Sequence, residues 1–393
     1  MTALSHKLHL RGLPRLGLAF LLLAAATWLT ACSEDAPDAK SAGMVATANV
    51  HASEAAADML RKGGSATDAA IAAQLVLTLT EPQSSGIGGG LFSVHLEGAT
   101  GDITSFDGRE TAPGAATERL FLKDDGKPMP WLDAALGGRP VGVPGVIAAL
   151  HLQHQKFGKL GWAELFEPAI RLAGDGFKAS PRLAAAIAEA DGLEDDETAQ
   201  ALYYLPDDAG AKAGEPVPAG YLVRNPAYAR TLRLTAEQGP AGFYTGEVAQ
   251  AIVAAVTGHE VNPGLMTLED LAAYRAVERP AVCGAYRVWQ VCGMGPPSSG
   301  GLSTLMILGL LEPYSMAELD PNRAMAAHLF AQAGRLAFAD RNRYIADMDF
   351  TDVPVAGLIG RDYLRKRARL IDPLRDIGEA SPGTPPGALS EQK

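Results

Sequence analysis

The chain has 393 residues, 47% hydrophobic and 20% charged, and a formal net charge of −11. So much apolar material fills one large core or two ordinary ones, which excludes a disordered body. The acidic balance excludes the usual electrostatic footprint of a nucleic-acid partner.

Lys7, Arg11 and Arg15 form a basic n-region, and the apolar run from Leu16 to Leu29 is too short for a comfortable transmembrane span. Leu29-Thr30-Ala31-Cys32 then resembles the lipobox of bacterial lipoproteins. Residues 1–31 read as a lipoprotein-type signal peptide, Cys32 as the lipid anchor and 32–43 as a flexible tether. That order predicts an exported protein of the periplasm or cell envelope, held to the membrane through the anchor only. The other reading is an ordinary secretory signal with a chance cysteine.

Ser53 to Lys62 reads as a helix stopped by Gly63-Gly64. Ser65 and Asp68 form a capping-box-like start to a second helix over 66–79, apolar apart from Thr67, Asp68, Gln74 and Thr78, so it belongs in the core. From Glu81 to Pro113 runs EPQSSGIGGGLFSVHLEGATGDITSFDGRETAP. Its glycines permit close backbone approach, and Leu91 to Leu96 and Ile103 to Phe106 form a hairpin turning at Gly98-Ala99-Thr100-Gly101. Arg109 follows inside Asp107-Gly108-Arg109-Glu110. An arginine at the mouth of a rigid hairpin offers two parallel N–H donors to a carboxylate, which makes it a candidate substrate clamp. Pairing with Asp107 or Glu110, to hold the corner, is the structural alternative.

Beyond a turn-rich stretch over 114–139, Val141-Gly142-Val143-Pro144-Gly145 introduces a helix over 146–156. Further helices are expected over 165–173, 183–189, 226–238, 246–257 and 267–273, the last with a second capping-box-like pair, Thr267 and Asp270. Residues 191–220 read as an exposed excursion. RPAVCGAYRVWQVC reads as two strands turning at Gly284-Ala285, which separates Cys283 from Cys292 by about 20 Å and predicts two free thiols. Ser298 and Ser299 precede an apolar helix over 302–311 and either cap it or shape an anion pocket. A long amphipathic helix over 322–346 carries His328, Arg335, Asp340, Arg341 and Arg343. Its charges read as a solvated face or a structural ion-pair network.

Self-sufficient catalytic signatures are missing: the sequence contains no G-x-S-x-G, HExxH or Walker loop, and Leu91 stands where GxGxxG requires glycine. His51, His95, His151, His154, His259 and His328 lack metal-like spacing, so no metal or cofactor is expected.

EPQSSGIGGG followed by DGRETAP resembles the large subunit of the γ-glutamyltransferases, or glutathione hydrolases. VGVPG at 141–145, EPAIRLAGDGF at 167–177, FYTGEVAQAIV at 243–253, MTLEDLAAY at 266–274, PPSSGG at 296–301 and AFADRNRYIADMDF at 337–350 follow in the family's order, so the resemblance covers 44–372. It implies an α+β protein with the four-layer α-β-β-α sandwich of N-terminal-nucleophile hydrolases, and it makes Arg109 the residue that holds the α-carboxylate of the γ-glutamyl group.

The resemblance also explains the missing signatures. In this family a precursor cuts itself, and the new N-terminal threonine of the small subunit attacks the γ-glutamyl amide, its hydroxyl activated by its own α-amine. No Thr-Thr-His-like motif occurs in these residues, and Pro- and Gly-rich 373–393 reads as the flexible segment before the cut. The resemblance thus implies a small-subunit partner carrying the nucleophile, glutathione or another γ-glutamyl amide as donor, and an amino acid, peptide or water as acceptor. Two alternatives share the scaffold: a cephalosporin-acylase-like amidase, and a non-catalytic γ-glutamyl-binding lipoprotein.

Overall fold

The computed structural model describes residues 43–206, 210, 213–320 and 323–389. The expected signal peptide, Cys32 and most of the expected tether lie outside them. The chain divides into Met1–Met44 and Val45–Lys393, and the elements below belong to the second unit. Among the described residues no helix is long and apolar enough to cross a membrane.

The Asn49 side chain accepts from the backbone N–H of His51 and starts α1 (Val50–Arg61), which ends at Gly63 in the left-handed region, φ 88°. Ser65 and Asp68 form the expected capping box of α2 (Ala66–Thr80). Asp68 does more than the sequence suggests. Its fully buried Oδ2 also accepts from the backbone of Lys159 at 2.9 Å and Leu160 at 3.2 Å, tying the start of α2 to the chain just beyond α3 (Val146–Phe157). Between these helices lies the expected hairpin, β1 (Leu91–Leu96) against β2 (Ile103–Gly108), with Leu96 opposite Ile103.

α4 (Glu167–Asp175), α5 (Pro181–Ala188), α6 (Glu197–Tyr203), α7 (Pro226–Gln238), α8 (Gly246–Thr257) and α9 (Leu268–Ala273) follow, with the short pair β3 (Phe177–Lys178) and β4 (Leu222–Val223). α1 to α4 and α7 to α9 bury Met59, Ile71, Leu75, Ile147, Leu232 and Leu271 in one core. The 191–220 excursion is mostly exposed, but it inserts Val217 into a smaller cluster around Phe177 and Leu183. Thr267 and Asp270 form the second capping box. Past α9, β5 (Val277–Pro280) adds to the hairpin, giving an antiparallel sheet of order β1-β2-β5.

β6 (Val282–Tyr286) and β7 (Trp289–Gly293) overturn the expectation of free thiols. The chain turns at Arg287-Val288, with Arg287 at φ 54°, rather than at Gly284-Ala285. This register sets Cys283 opposite Cys292, with Cα atoms 4.1 Å apart, and the two form a disulfide. Gly284 answers a packing need instead: a Cβ there would stand 3.0 Å from the side chain of Leu305.

Three further helices, α10 (Gly300–Leu311), α11 (Ala324–Tyr344) and α12 (Arg361–Ala368), enclose a second core of Leu302, Met306, Leu310, Leu336 and Leu364. The charges of α11 are not all solvated. Asp340 is buried and takes hydrogen bonds from Arg367 (3.1 Å), from the Tyr363 hydroxyl (2.8 Å) and from the backbone N–H of Gly383 (2.7 Å). Arg367 also donates to the carbonyl of Ser381, and the Tyr344 hydroxyl to that of Gly383. Burial, then the Asp340 carboxylate, push the Tyr363 hydroxyl's pKa up, so it stays a donor. Ser381 and Gly383 fall within 373–393, so part of that stretch is fastened to α11 and α12.

Asp340→Ala leaves Arg367 buried without its counter-ion, a loss of about 3–5 kcal/mol by analogy with broken buried pairs. Denaturant titration of the folded chain should show that loss; a midpoint within error of the parent would rule out a structural role for the pair. Replacing both Cys283 and Cys292 with serine releases a short loop closure worth roughly 2–3 kcal/mol. The melting temperature should fall, and the parent should fall to match on full reduction; free thiols found in the oxidised parent by mass mapping would contradict the bridge.

Candidate functional site

The end of β2 is where the sequence motifs meet. Gly108 and Gly145 face each other so closely that a Cβ on Gly108 would stand 2.5 Å from that of Ala149 and 3.0 Å from the Gly145 carbonyl. A Cβ on Gly145 would strike the Gly108 carbonyl and the Tyr274 hydroxyl. These contacts set the hairpin on the first turn of α3. The carbonyl of Gly89 then accepts from the N–H groups of Gly145 (2.9 Å) and Val146 (3.2 Å), two of the donors that a helix start leaves unpaired. Glu110 packs its carboxylate against Gly90, in the space a side chain there would fill.

Arg109 is therefore mounted on a fixed corner. Its backbone N–H donates to Asp107 Oδ1 at 2.9 Å, and its carbonyl accepts from the Tyr274 hydroxyl at 2.7 Å. Burial, then the charges of Asp107 and Glu110, push the Tyr274 pKa up and keep that donor protonated. Asp107 is buried, and its Oδ2 accepts from Arg279 Nε at 2.7 Å. Arg279 forks onto Asp349 with Nη1 and Nη2 at 2.9 and 2.6 Å. Hydrogen bonding to Asp349 raises the arginine's pKa and lowers that of the aspartate below its usual 3.8.

The structural alternative for Arg109 does not hold. Asp107 pairs with Arg279, and among the described residues the Arg109 guanidinium has no hydrogen-bond or ion-pair partner; it lies 5.7 Å from the centre of the Phe92 ring, in an exposed residue. A cation fixed at its backbone, unpaired at its fork and backed by an aromatic face can receive a carboxylate.

The other candidates are spread through the fold. Ser299 starts α10 without a side-chain capping bond and accepts from Arg341 Nε at 3.2 Å, while the Ser298 oxygen accepts from the N–H of Gly300 at 3.3 Å. Ser85 accepts from Gln74. His151 and His154 turn their rings edge-on to Trp162, and His154 Nε2 lies 2.8 Å from the carbonyl of Leu160. Burial, then His154, lowers the pKa of His151. Among the described residues no group of three or more His, Cys, Asp or Glu is placed to hold a metal.

A cavity of about 350 Å³ lies beside the corner, lined by His151, Gln155, Tyr244, Tyr274 and Arg275, with Tyr244 and Tyr274 stacked at 5.9 Å. The sequence reading missed Asp107 as a support, and with it Tyr274, Arg279 and Asp349. Spacing carries no signal for bonds that span 165 and 172 residues.

Residues 52–390 match the family model described as gamma-glutamyltranspeptidase. The chain is 37% identical over 357 residues to the glutathione hydrolase proenzyme of Escherichia coli, covering 88% of this chain and 58% of that protein. It is 37% identical over 345 residues to the acylase ACY 1 proenzyme of a Pseudomonas species, covering 86% and 60%. Among solved structures, the gamma-glutamyltranspeptidase of Helicobacter pylori superposes with a TM-score of 0.81 at 32% identity, covering 89% of this chain and 97% of that one. The chain thus spans a little over half the length of the curated relatives it matches, and over that span, with the corner that carries Arg109 and the motifs packed around it, it belongs to the gamma-glutamyltranspeptidase family.

Proposed function

We propose that this chain is the substrate-gripping part of an enzyme that transfers or hydrolyses the γ-glutamyl group of glutathione and related amides. The observation that carries the reading is the unpaired fork of Arg109 on a corner fixed at both backbone atoms. Arg109 donates two N–H bonds to the substrate α-carboxylate and so orients the γ-amide. The nucleophile is the N-terminal threonine of a small subunit, supplied by residues outside these 393. Its oxygen attacks the γ-carbonyl carbon while its proton passes through its own α-amine to the leaving nitrogen, giving a γ-glutamyl ester. Attack on that ester by an amino acid, a peptide or water releases product and regenerates the hydroxyl. The cycle as written consumes no cofactor or metal.

The proenzyme names of the relatives support a two-part assembly. We assign the four-layer α-β-β-α sandwich to that assembly: β1 and β5 are edge strands among the described residues, and open edges call for strands from elsewhere. Export to the periplasm or cell envelope, with Cys32 acylated, completes the reading. The same identity to an acylase proenzyme favours one alternative, an amidase acting on a β-lactam side chain.

In the complete two-part enzyme, Arg109→Ala should lose at least about 10-fold in kcat/KM for a γ-glutamyl anilide, with Arg109→Lys between it and the parent, since charged hydrogen bonds are worth roughly 1.5–3 kcal/mol. Folded Arg109→Ala enzyme with parental kinetics would dismiss the clamp, and faster turnover of a cephalosporin side-chain amide than of glutathione would favour the acylase. Intact mass of the exported protein should show loss of residues 1–31 and an acyl group on Cys32. Membrane retention of Cys32→Ala would count against the anchor.

A further inference from the structure

The support under Arg109 is charged, crosses two strands and ends in a distant turn. Asp349 sits in the turn after α11, where its own N–H donates to Asp347 Oδ1 at 2.9 Å. Its carboxylate takes both ends of the Arg279 guanidinium, and the remaining Nε of Arg279 goes to Asp107, whose other oxygen holds the N–H of Arg109. Arg279 thus uses all three faces of its fork on carboxylates, while its carbonyl accepts from Ser105 on the neighbouring strand at 2.7 Å. Ser105 lies opposite Arg279 in the β2–β5 pairing, and Asp107 opposite Val277. Both arms of the bridge therefore act on the last turn of strand before the corner.

From this geometry we infer that Arg279, locked by Asp349, is a positioning residue for substrate recognition. By occupying the Asp107 carboxylate it holds the backbone of Arg109 in register and keeps Asp107 from folding back onto the Arg109 guanidinium. The inference rests on Arg109 as the α-carboxylate clamp. Removing Arg279 has two consequences. Asp107, buried and newly without a cation, becomes an unpaired carboxylate two residues from Arg109, and the fork that should meet substrate is drawn inward. The Asp349 end is half-exposed, with 55% of its side-chain surface accessible, so its loss loosens Arg279 without leaving a buried charge.

The two-part enzyme, assayed with a γ-glutamyl anilide and with the same compound bearing an α-carboxamide, reads out this role. Arg279→Gln should raise KM for the carboxylate substrate by roughly 10-fold with a smaller change in kcat, and narrow the preference for carboxylate over carboxamide by a similar factor. Asp349→Asn should move both in the same direction by less, and Arg279→Lys should recover part of the preference. Because Arg279→Gln destabilises through Asp107, the double variant Arg279→Gln with Asp107→Asn, which removes the buried charge and the carboxylate that draws the fork inward, serves as the folded comparison and should widen the preference again toward that of the parent. A loss of both activities in equal proportion, with the preference intact, would overturn the inference and leave Arg279 a purely structural bridge. Arg109→Ala separates the two claims. If it abolishes the preference while the Arg279 and Asp349 variants keep it, the clamp stands and the positioning role fails; if it keeps the preference, the clamp itself fails.

Discussion

The corner that presents Arg109 depends on one buried carboxylate. Asp107 is buried, and Arg279 supplies its counter-ion at 2.7 Å. With one oxygen so engaged, the other is directed at the backbone N–H of Arg109 rather than at its side chain. The guanidinium is consequently left free by the very contacts that fix its Cα. An apolar residue at 107 could do neither. It would have no acceptor for Arg279, and through Arg279 no link to Asp349.

Three stretches far apart in sequence serve the same packing event. The glycine cluster around Gly89 places a carbonyl at the start of α3, Gly108 ends β2 against Ala149, and Gly145 makes room for both the Gly108 carbonyl and the Tyr274 hydroxyl. The glycines over 86–90 are therefore read as a backbone cap and a seat for Glu110. Nothing in that arrangement resembles the phosphate cradle that a glycine-rich loop suggests when met alone. A side chain at 108 or 145 would push the hairpin off the helix and carry Arg109 with it.

Much of this was legible in the sequence where the determining contacts are local. Ser65 with Asp68 and Thr267 with Asp270 announced helix starts because a capping box closes within four residues, and the β1–β2 hairpin followed from a short glycine-containing loop between two strand-forming stretches. The disulfide was misread for a local reason too. Glycine attracted the turn to 284–285, whereas Arg287 adopts the left-handed conformation and Gly284 is there to admit Leu305. The long-range charges were illegible in a deeper sense. Nothing in the spacing of DGRE distinguishes an Asp107 that pairs with Arg109 from one that pairs with Arg279, because the choice is made by strand pairing. Similarly, the sequence allows an ion-pair network on this helix but does not name the partners of Asp340, which are Arg367, Tyr363 and Gly383.

Two of the buried aspartates, Asp107 and Asp340, divide the work between the two hydrophobic cores. Asp340 lies inside the second core and fastens the chain around Gly383 to α11 and α12, whereas Asp107 lies where the hairpin meets α3 of the first. Between them runs α11, which carries Asp340 along its length and delivers Asp349 just past its end. The Arg279–Asp349 contact is thus a polar link from the helix that holds the C-terminal segment to the strand that holds Arg109. Asp107 and Arg279 sit on paired strands, so the backbone of Arg109 is anchored to the β2–β5 pairing, and Asp349 in the turn past α11 closes the chain of bonds. A recognition arginine needs that, because two parallel hydrogen bonds to a carboxylate tolerate little displacement of the fork.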